Sequence, residues 1–141
     1  MTPKDYEDKL AKDFPLLYID MHGDPMVTCL SRGVETGPGW YDIIYNLSEK
    51  LQQLIATLPE DYRKGQKITQ VKQKFGGLRV YMHKYMPEVY GLIEEAEKLA
   101  YKTCEQCGKP GQLCGDWKKN EWLYTSCKEH AKKEHKGNFN E

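Results

Sequence analysis

Cys104-Glu105-Gln106-Cys107-Gly108, answered downstream by Cys127-Lys128-Glu129-His130, decides how the C-terminal third of this chain is built. The short gap between the first two cysteines turns both sulfurs toward one point, and Gly108, Pro110 and Gly111 allow a sharp turn after them. Cys127 and His130 share one face if they sit on the first turn of a helix. Zinc favours this soft sulfur and nitrogen set, and four such donors complete a closed tetrahedron. The spacing predicts a structural zinc site at Cys104, Cys107, Cys127 and His130. Cys114 competes for the fourth position and would make a four-cysteine site. His130 is preferred because Cys127-x-x-His130 repeats the short gap of the first pair. A redox Cys-x-x-Cys expects a strand before it and a helix opening at it. Here a helical pattern comes before and Gly and Pro come after. Cys29 lies far from the others and reads as a small buried apolar side chain.

Between the two halves of the motif, Leu113–Trp117 and Trp122–Ser126 flank Lys118-Lys119-Asn120-Glu121, which suggests a short hairpin. Cys127 to Lys136 is expected as a terminal helix, and residues 137–141 as a frayed tail. Knuckle, hairpin and helix in this order resemble a treble-clef zinc finger.

Upstream, Thr2 is placed to cap a helix with Pro3 at its first position and acids in its first turn. Tyr6, Leu10 and Phe14 form its apolar stripe, and Pro15 ends it. Residues 20–39 are rich in Gly and Pro and read as a long irregular segment, with a short strand near Met26–Leu30. The main core helix starts near Trp40. Trp40, Ile43, Ile44, Leu47, Leu51, Leu54, Ile55 and Leu58 recur at helical spacing until Pro59. Ile68 to Phe75, Gly76-Gly77 and Leu78 to His83 form a hairpin signature, with the two glycines as its turn. Alternation puts Val71, Phe75, Leu78, Val80 and Met82 toward the core, and Lys72, Lys74, Arg79, Tyr81 and His83 on the other face. A third helix runs from Pro87 to Tyr101. The expected fold is α+β: core helices on a β-hairpin over residues 1–102, a zinc unit over 103–136, then the tail.

The chain has 141 residues, with 21 Lys and Arg against 21 Asp and Glu. A formal charge of zero argues against a surface that is wholly an electrostatic clamp for nucleic acid, though not against a local basic patch. No apolar run is long enough to span a membrane, and no secretory signal opens the sequence, so the cytosol is the expected compartment.

Gly39-Trp40-Tyr41-Asp42, Val71 to Arg79, Glu95-Ala96-Glu97, Cys104 to Gly111 and Cys127 to His130 together resemble a family of small phage, prophage and bacterial proteins. The resemblance covers about residues 37–131. It implies a zinc knuckle and a phage or mobile-element setting, and it transfers no catalytic residue. Cys114 is not part of the family's pattern, which favours His130 as the fourth ligand.

Lys72, Lys74, Arg79 and His83 are the candidate face for an anionic ligand, with Tyr81 or Trp40 offering a ring for stacking. The plain reading is a solvated face on which Arg79 pairs with an acid such as Asp42. Three functions follow. The favoured one is a zinc-stabilised, non-enzymatic binding protein: a phage-type accessory or counter-defence factor that captures a host factor or a small phosphorylated, nucleotide-like ligand. The second is a nucleic-acid-binding regulator using the lysines after residue 117, among which Glu121, Glu129 and Glu134 are interleaved. The third is a small hydrolase or nuclease using His22, Asp24 and His83, for which the sequence carries no nucleophile motif or phosphate loop.

Overall fold

Helix α1 (Pro3–Asp13) starts on Thr2: its hydroxyl accepts the Asp5 N–H, and the Asp5 carboxylate accepts the Thr2 N–H in return. The computed structural model describes residues 2–139. Tyr6, Leu10 and Phe14 are buried, as their spacing predicts. Glu7 is buried with them, where its carboxylate accepts the Val34 N–H at 2.6 Å and meets His22 Nε2 at 3.2 Å. This carboxylate ties the irregular segment to the helix. Gly33, at φ 75°, packs so close that a Cβ there would strike the Glu7 carboxylate.

The strand expected near Met26–Leu30 does not form. The Asp24 carboxylate accepts the Met26 N–H at 2.8 Å, and its carbonyl accepts those of Val27 and Thr28. This Asp-Pro turn curls the chain before it can extend. A 3₁₀ turn follows at Cys29–Arg32, and strand pairing begins only at β1 (Val34–Glu35). Thr28 and Leu30 are the buried residues here, and Cys29 is exposed, contrary to its reading as a core residue.

β1 runs parallel to β2 (Ile68–Lys74), which pairs antiparallel with β3 (Gly77–Met82). The hairpin turn is centred on Phe75 and Gly76, with φ 53° and 82°, while Gly77 already pairs with Lys74. Phe75 therefore leaves the core face and lies exposed; Val71, Leu78, Val80 and Met82 keep their inward places. Lys72 stands opposite Arg79 in the register, and Glu35 flanks Lys72 from β1.

Helix α2 (Tyr41–Ala56), the short α3 (Glu60–Arg63) and α4 (Pro87–Ala100) supply the remaining helices before the knuckle. A 3₁₀ turn, Pro38–Trp40, leads into α2. Ile43, Ile44, Leu47 and Leu51 of α2 share one core with Val89, Ile93, Ala96 and Ala100 of α4 and the inner face of the sheet. α4 also covers the free edge of β3. The Met82 N–H donates to the Tyr90 hydroxyl at 3.2 Å, and the Val80 N–H to the Glu97 carboxylate.

The last third holds a two-stranded ladder, β4 (Gln112–Cys114) with β5 (Tyr124–Ser126), shorter than the expected hairpin. Trp117 falls in a 3₁₀ turn, Trp117–Lys119, and Trp122 lies outside β5. The helix expected from Cys127 to Lys136 is replaced by a turn over residues 128–130 and a 3₁₀ helix, Lys133–Asn138. The Lys132 N–H explains the break: it donates to the Tyr124 hydroxyl at 3.0 Å instead of continuing a helical ladder. Gly137 and Asn138, expected in the tail, belong to that 3₁₀ helix, while Asn140 and Glu141 lie outside the described residues.

One buried polar pair tests the core. The Tyr18 hydroxyl meets Ser48 Oγ at 2.6 Å, and the Ser48 hydroxyl donates to the Ile44 carbonyl at 2.8 Å. Ser48→Ala leaves the Tyr18 hydroxyl unpaired and is expected to cost about 1–3 kcal/mol in urea unfolding. Adding Tyr18→Phe removes the orphaned group and should recover most of that loss. A double variant no more stable than Ser48→Ala would contradict this pairing.

Candidate metal centre

Cys104, Cys107, Cys127 and His130 come together with their donor atoms all within 4.8 Å of one another. The Cys107 and Cys127 sulfurs are 3.7 Å apart, and His130 Nδ1 lies 3.2 Å from Cys127 and 3.8 Å from Cys104. Sulfurs held at about 2.3 Å from one tetrahedral ion are separated by about 3.8 Å. The Cys107–Cys127 separation matches that spacing, and the 4.8 Å bound on the whole set is compatible with one shared ion. Cys114 is outside this group, its thiol directed to the Gln112 carbonyl at 3.4 Å. His130, not Cys114, is the residue the fold brings to the other three.

The knuckle is built by short-range hydrogen bonds. The Gly108 N–H donates to the Cys104 carbonyl at 2.9 Å, and the Cys104 N–H to the Lys109 carbonyl at 2.8 Å. Gly108 takes φ 80°, which lets the chain reverse directly behind Cys107. Burial pushes the Cys104 thiol up, but the N–H groups of Cys127, Cys107 and Gln106 face its sulfur and bring it down to about 6. The Lys109 N–H lowers Cys107, yet desolvation and the two neighbouring thiols leave it raised. Crowded sulfurs resist sharing negative charge, and a cation among them removes that conflict.

Residues far upstream pack onto the knuckle. The Gly39 N–H donates to the Glu105 carbonyl at 2.6 Å, and the Gly37 N–H to the Glu105 carboxylate at 2.8 Å. Trp40 is 0% exposed, and its indole N–H donates to the Thr103 carbonyl at 2.8 Å. A Cβ on Gly39 would collide with the Cys104 carbonyl, and one on Gly37 would lie 2.5 Å from the Glu105 carbonyl. The Gly-Pro-Gly-Trp segment is a dock for the metal knuckle. Nothing local in the sequence signalled this, because the partner of each glycine lies in a remote part of the chain.

The proposed ligand face is divided by the fold. Trp40 is enclosed and presents no ring to a ligand. Arg79 is half-buried: its guanidinium donates to the Leu78 carbonyl at 2.9 Å and to the Tyr101 hydroxyl at 3.1 Å, and the acid beside it is Glu97 rather than Asp42. Lys72 and Tyr81 stay on the outer face of the hairpin, and Lys74 lies at its tip. His83 lies at the far end, in a cleft of about 620 Å³ together with Arg63, Lys64 and Lys67. The run Arg63-Lys64-Gly65-Gln66-Lys67 was the signal for these three cations, and the sequence reading passed over it. His22 and Asp24 serve local structure: His22 meets Glu7, and Asp24 caps its own turn.

No family model, curated protein or solved structure matches this chain. No helix among the described residues is long and apolar enough to cross a membrane.

Cys104→Ser and Cys127→Ser are each expected to release bound metal and lower the melting temperature, whereas Cys114→Ser keeps both; elemental analysis and thermal unfolding read the result. Gly39→Ala is expected to destabilise the fold by about 3 kcal/mol, through the clash with Cys104. It should also weaken metal retention, although residue 39 is not a ligand. Wild-type metal retention in Gly39→Ala would show that the dock and the centre are independent.

Proposed function

We propose that this chain is a zinc-stabilised, non-enzymatic protein that captures a small phosphorylated, nucleotide-like ligand. Three thiolates and one imidazole suit zinc among the common divalent ions, and a knuckle followed by a short ladder and a ligand-bearing turn is compatible with a treble-clef-like unit, though with a 3₁₀ helix in place of its terminal α-helix. Four protein donors leave no open position for a water or a substrate, so such an ion would be structural. It would hold the knuckle against the Gly-Pro-Gly-Trp dock and supply no catalytic step.

The observation that carries the ligand reading is the convergence of Arg63, Lys64, Lys67 and His83 on one open cleft beside Leu16 and Ile19, with the acid Glu60 also in its lining. An arginine fork and lysine ammoniums suit a phosphate, and exposed Leu16 and Ile19 offer an apolar floor for a base. Lys67 is held at 2.9 Å by Asp20, which fixes its ammonium at the rim. A smaller apolar cleft of about 260 Å³, lined by Pro15, Leu17 and Ile55, shares Leu16, Arg63 and Gln66 with the first. The side-chain oxygen of Gln66 is buried and has no hydrogen-bond partner among the described residues. A phage-type accessory or counter-defence setting for such capture is what the resemblance of the sequence motifs implies.

Native mass spectrometry of the intact chain is expected to show one zinc per molecule, lost with strong chelation together with thermal stability. A panel of nucleosides and nucleotides in thermal-shift assays then tests the cleft. A phosphorylated member should raise the melting temperature, its unphosphorylated parent should not, and Arg63→Ala with Lys64→Ala should abolish the rise. Equal shifts in wild type and the double variant would overturn the assignment of the cleft.

A further inference from the structure

Three large aromatic rings stand in solvent at the junction of the hairpin and the metal unit. Trp122 is 84% exposed, Trp117 71% and Phe75 66%. All three line one open groove of about 290 Å³, with Leu123 at its base. Isolated exposed apolar side chains need no explanation, but three rings around one groove do. Phe75 adds a second observation. It occupies the first central position of a tight hairpin turn at φ 53°, where Asn, Asp or Gly is the favoured residue. A bulky side chain there is strained, and such strain persists where a function retains it. Nothing in the core uses this ring.

Cations accompany the rings. Lys74 Nζ lies 5.6 Å from the centre of Phe75, and Lys118 Nζ 5.9 Å from that of Trp117. Lys119 follows in the same turn. Two acids accompany them: Glu121, which lines the groove, meets His135 Nε2 at 2.6 Å, and Asp116 caps the Lys118 N–H at 2.9 Å. Lysine is depleted in protein–protein interfaces, where tryptophan anchors are usual. Rings interleaved with ammonium groups instead match a strand that alternates flat bases with phosphates.

We propose that the Phe75–Trp117–Trp122 groove binds single-stranded nucleic acid by stacking bases on these rings, with Lys74, Lys118 and Lys119 meeting the backbone. The groove is separate from the Arg63–His83 cleft, and neither assignment depends on the other. The three rings read bases without reading their edges, so the site discriminates strandedness more than sequence.

Oligothymidylate and oligouridylate, with a duplex of equal length as comparator, are titrated into the zinc-loaded full chain and followed by tryptophan fluorescence. Trp40 is enclosed, so quenching reports Trp117 and Trp122. Quenching by single strands, weaker binding of the duplex and loss of affinity with added salt are expected. Trp122→Ala should weaken binding about tenfold. The decisive variant is Phe75→Asn, which creates the favoured Asn-Gly turn. It should raise the melting temperature and still weaken binding about tenfold, a combination that misfolding cannot produce. Tyr85→Ala, at an exposed ring outside the groove, should leave affinity unchanged. Absence of quenching, equal affinity for duplex, or wild-type affinity in both Phe75→Asn and Trp122→Ala would overturn the proposal. So would a concentration-dependent dimer that Trp122→Ala abolishes, since the occupant would then be a second copy of the chain.

Discussion

The backbone of residues 37–40 lies directly on the backbone of the Cys104 knuckle, and the rest of the structure depends on that contact. Gly37 and Gly39 permit it because a side chain at either position would occupy the space of Glu105 or Cys104. Trp40 then closes over it, with its N–H on Thr103. Helix α2 starts at this point with no side-chain cap of its own. Its first turn is positioned instead by the Pro38–Trp40 turn and by the indole buried behind it. The principal core helix and the metal knuckle therefore share one foundation, although far apart in sequence. An ion that orders the knuckle also orders the surface on which α2 begins, and a well-packed Trp40 favours the knuckle geometry that the ion requires.

A second contact fixes the metal unit to the sheet. The Thr125 hydroxyl donates to the Gly76 carbonyl at 2.6 Å, and the Gln73 amide to the Leu123 carbonyl at 3.3 Å. A Cβ on Gly76 would meet Leu113 at 2.5 Å, and one on Gly77 would strike the Tyr101 hydroxyl. The Gly-Gly pair thus does two jobs. Gly76 supplies the positive φ of the turn, and Gly77 allows the hairpin to approach the end of α4. Held at both the dock and the hairpin tip, the metal unit has little freedom to rotate on the core, despite its small ladder.

What the sequence disclosed, and what it concealed, follows from the range of each interaction. Periodicity revealed α1, α2, α4 and the β2–β3 hairpin, because burial of one face repeats at helical or strand spacing. Ligand spacing revealed the metal cluster, because each pair of donors is local in the chain even though the two pairs are not. The role of Gly37 and Gly39 was hidden, since a close approach is visible only when both partners are known. Trp40 was read both as the head of the core helix and as a ring on a ligand face; the fold keeps the first role, and its enclosure rules out the second. The terminal helix failed because a single side chain, Tyr124, takes the Lys132 N–H, an effect that helical propensity does not contain. Cys29 and the Met26–Leu30 segment were misread because local turn chemistry at Asp24 outweighed a short apolar run.

The exposed tryptophans raise a different question: how a side chain that is not buried is held in place. A path of contacts leads from the metal cluster to Trp122. Cys127 follows β5 directly, so the cluster fixes the end of that strand. Within β5, the Tyr124 hydroxyl takes the Lys132 N–H and contacts His135 Nδ1 at 2.6 Å. The other nitrogen of His135 reaches Glu121, the neighbour of Trp122. The two His135 contacts are short and partly buried, a setting in which hydrogen bonds hold geometry more firmly than at an open surface. The 3₁₀ helix that replaced the expected terminal helix is what delivers His135 to this position. A continuous helix from Cys127 would have carried the Lys132 N–H into its own ladder and left the Tyr124 hydroxyl without that donor. Loss of helical regularity at the C-terminus is therefore part of how the metal unit presents its rings.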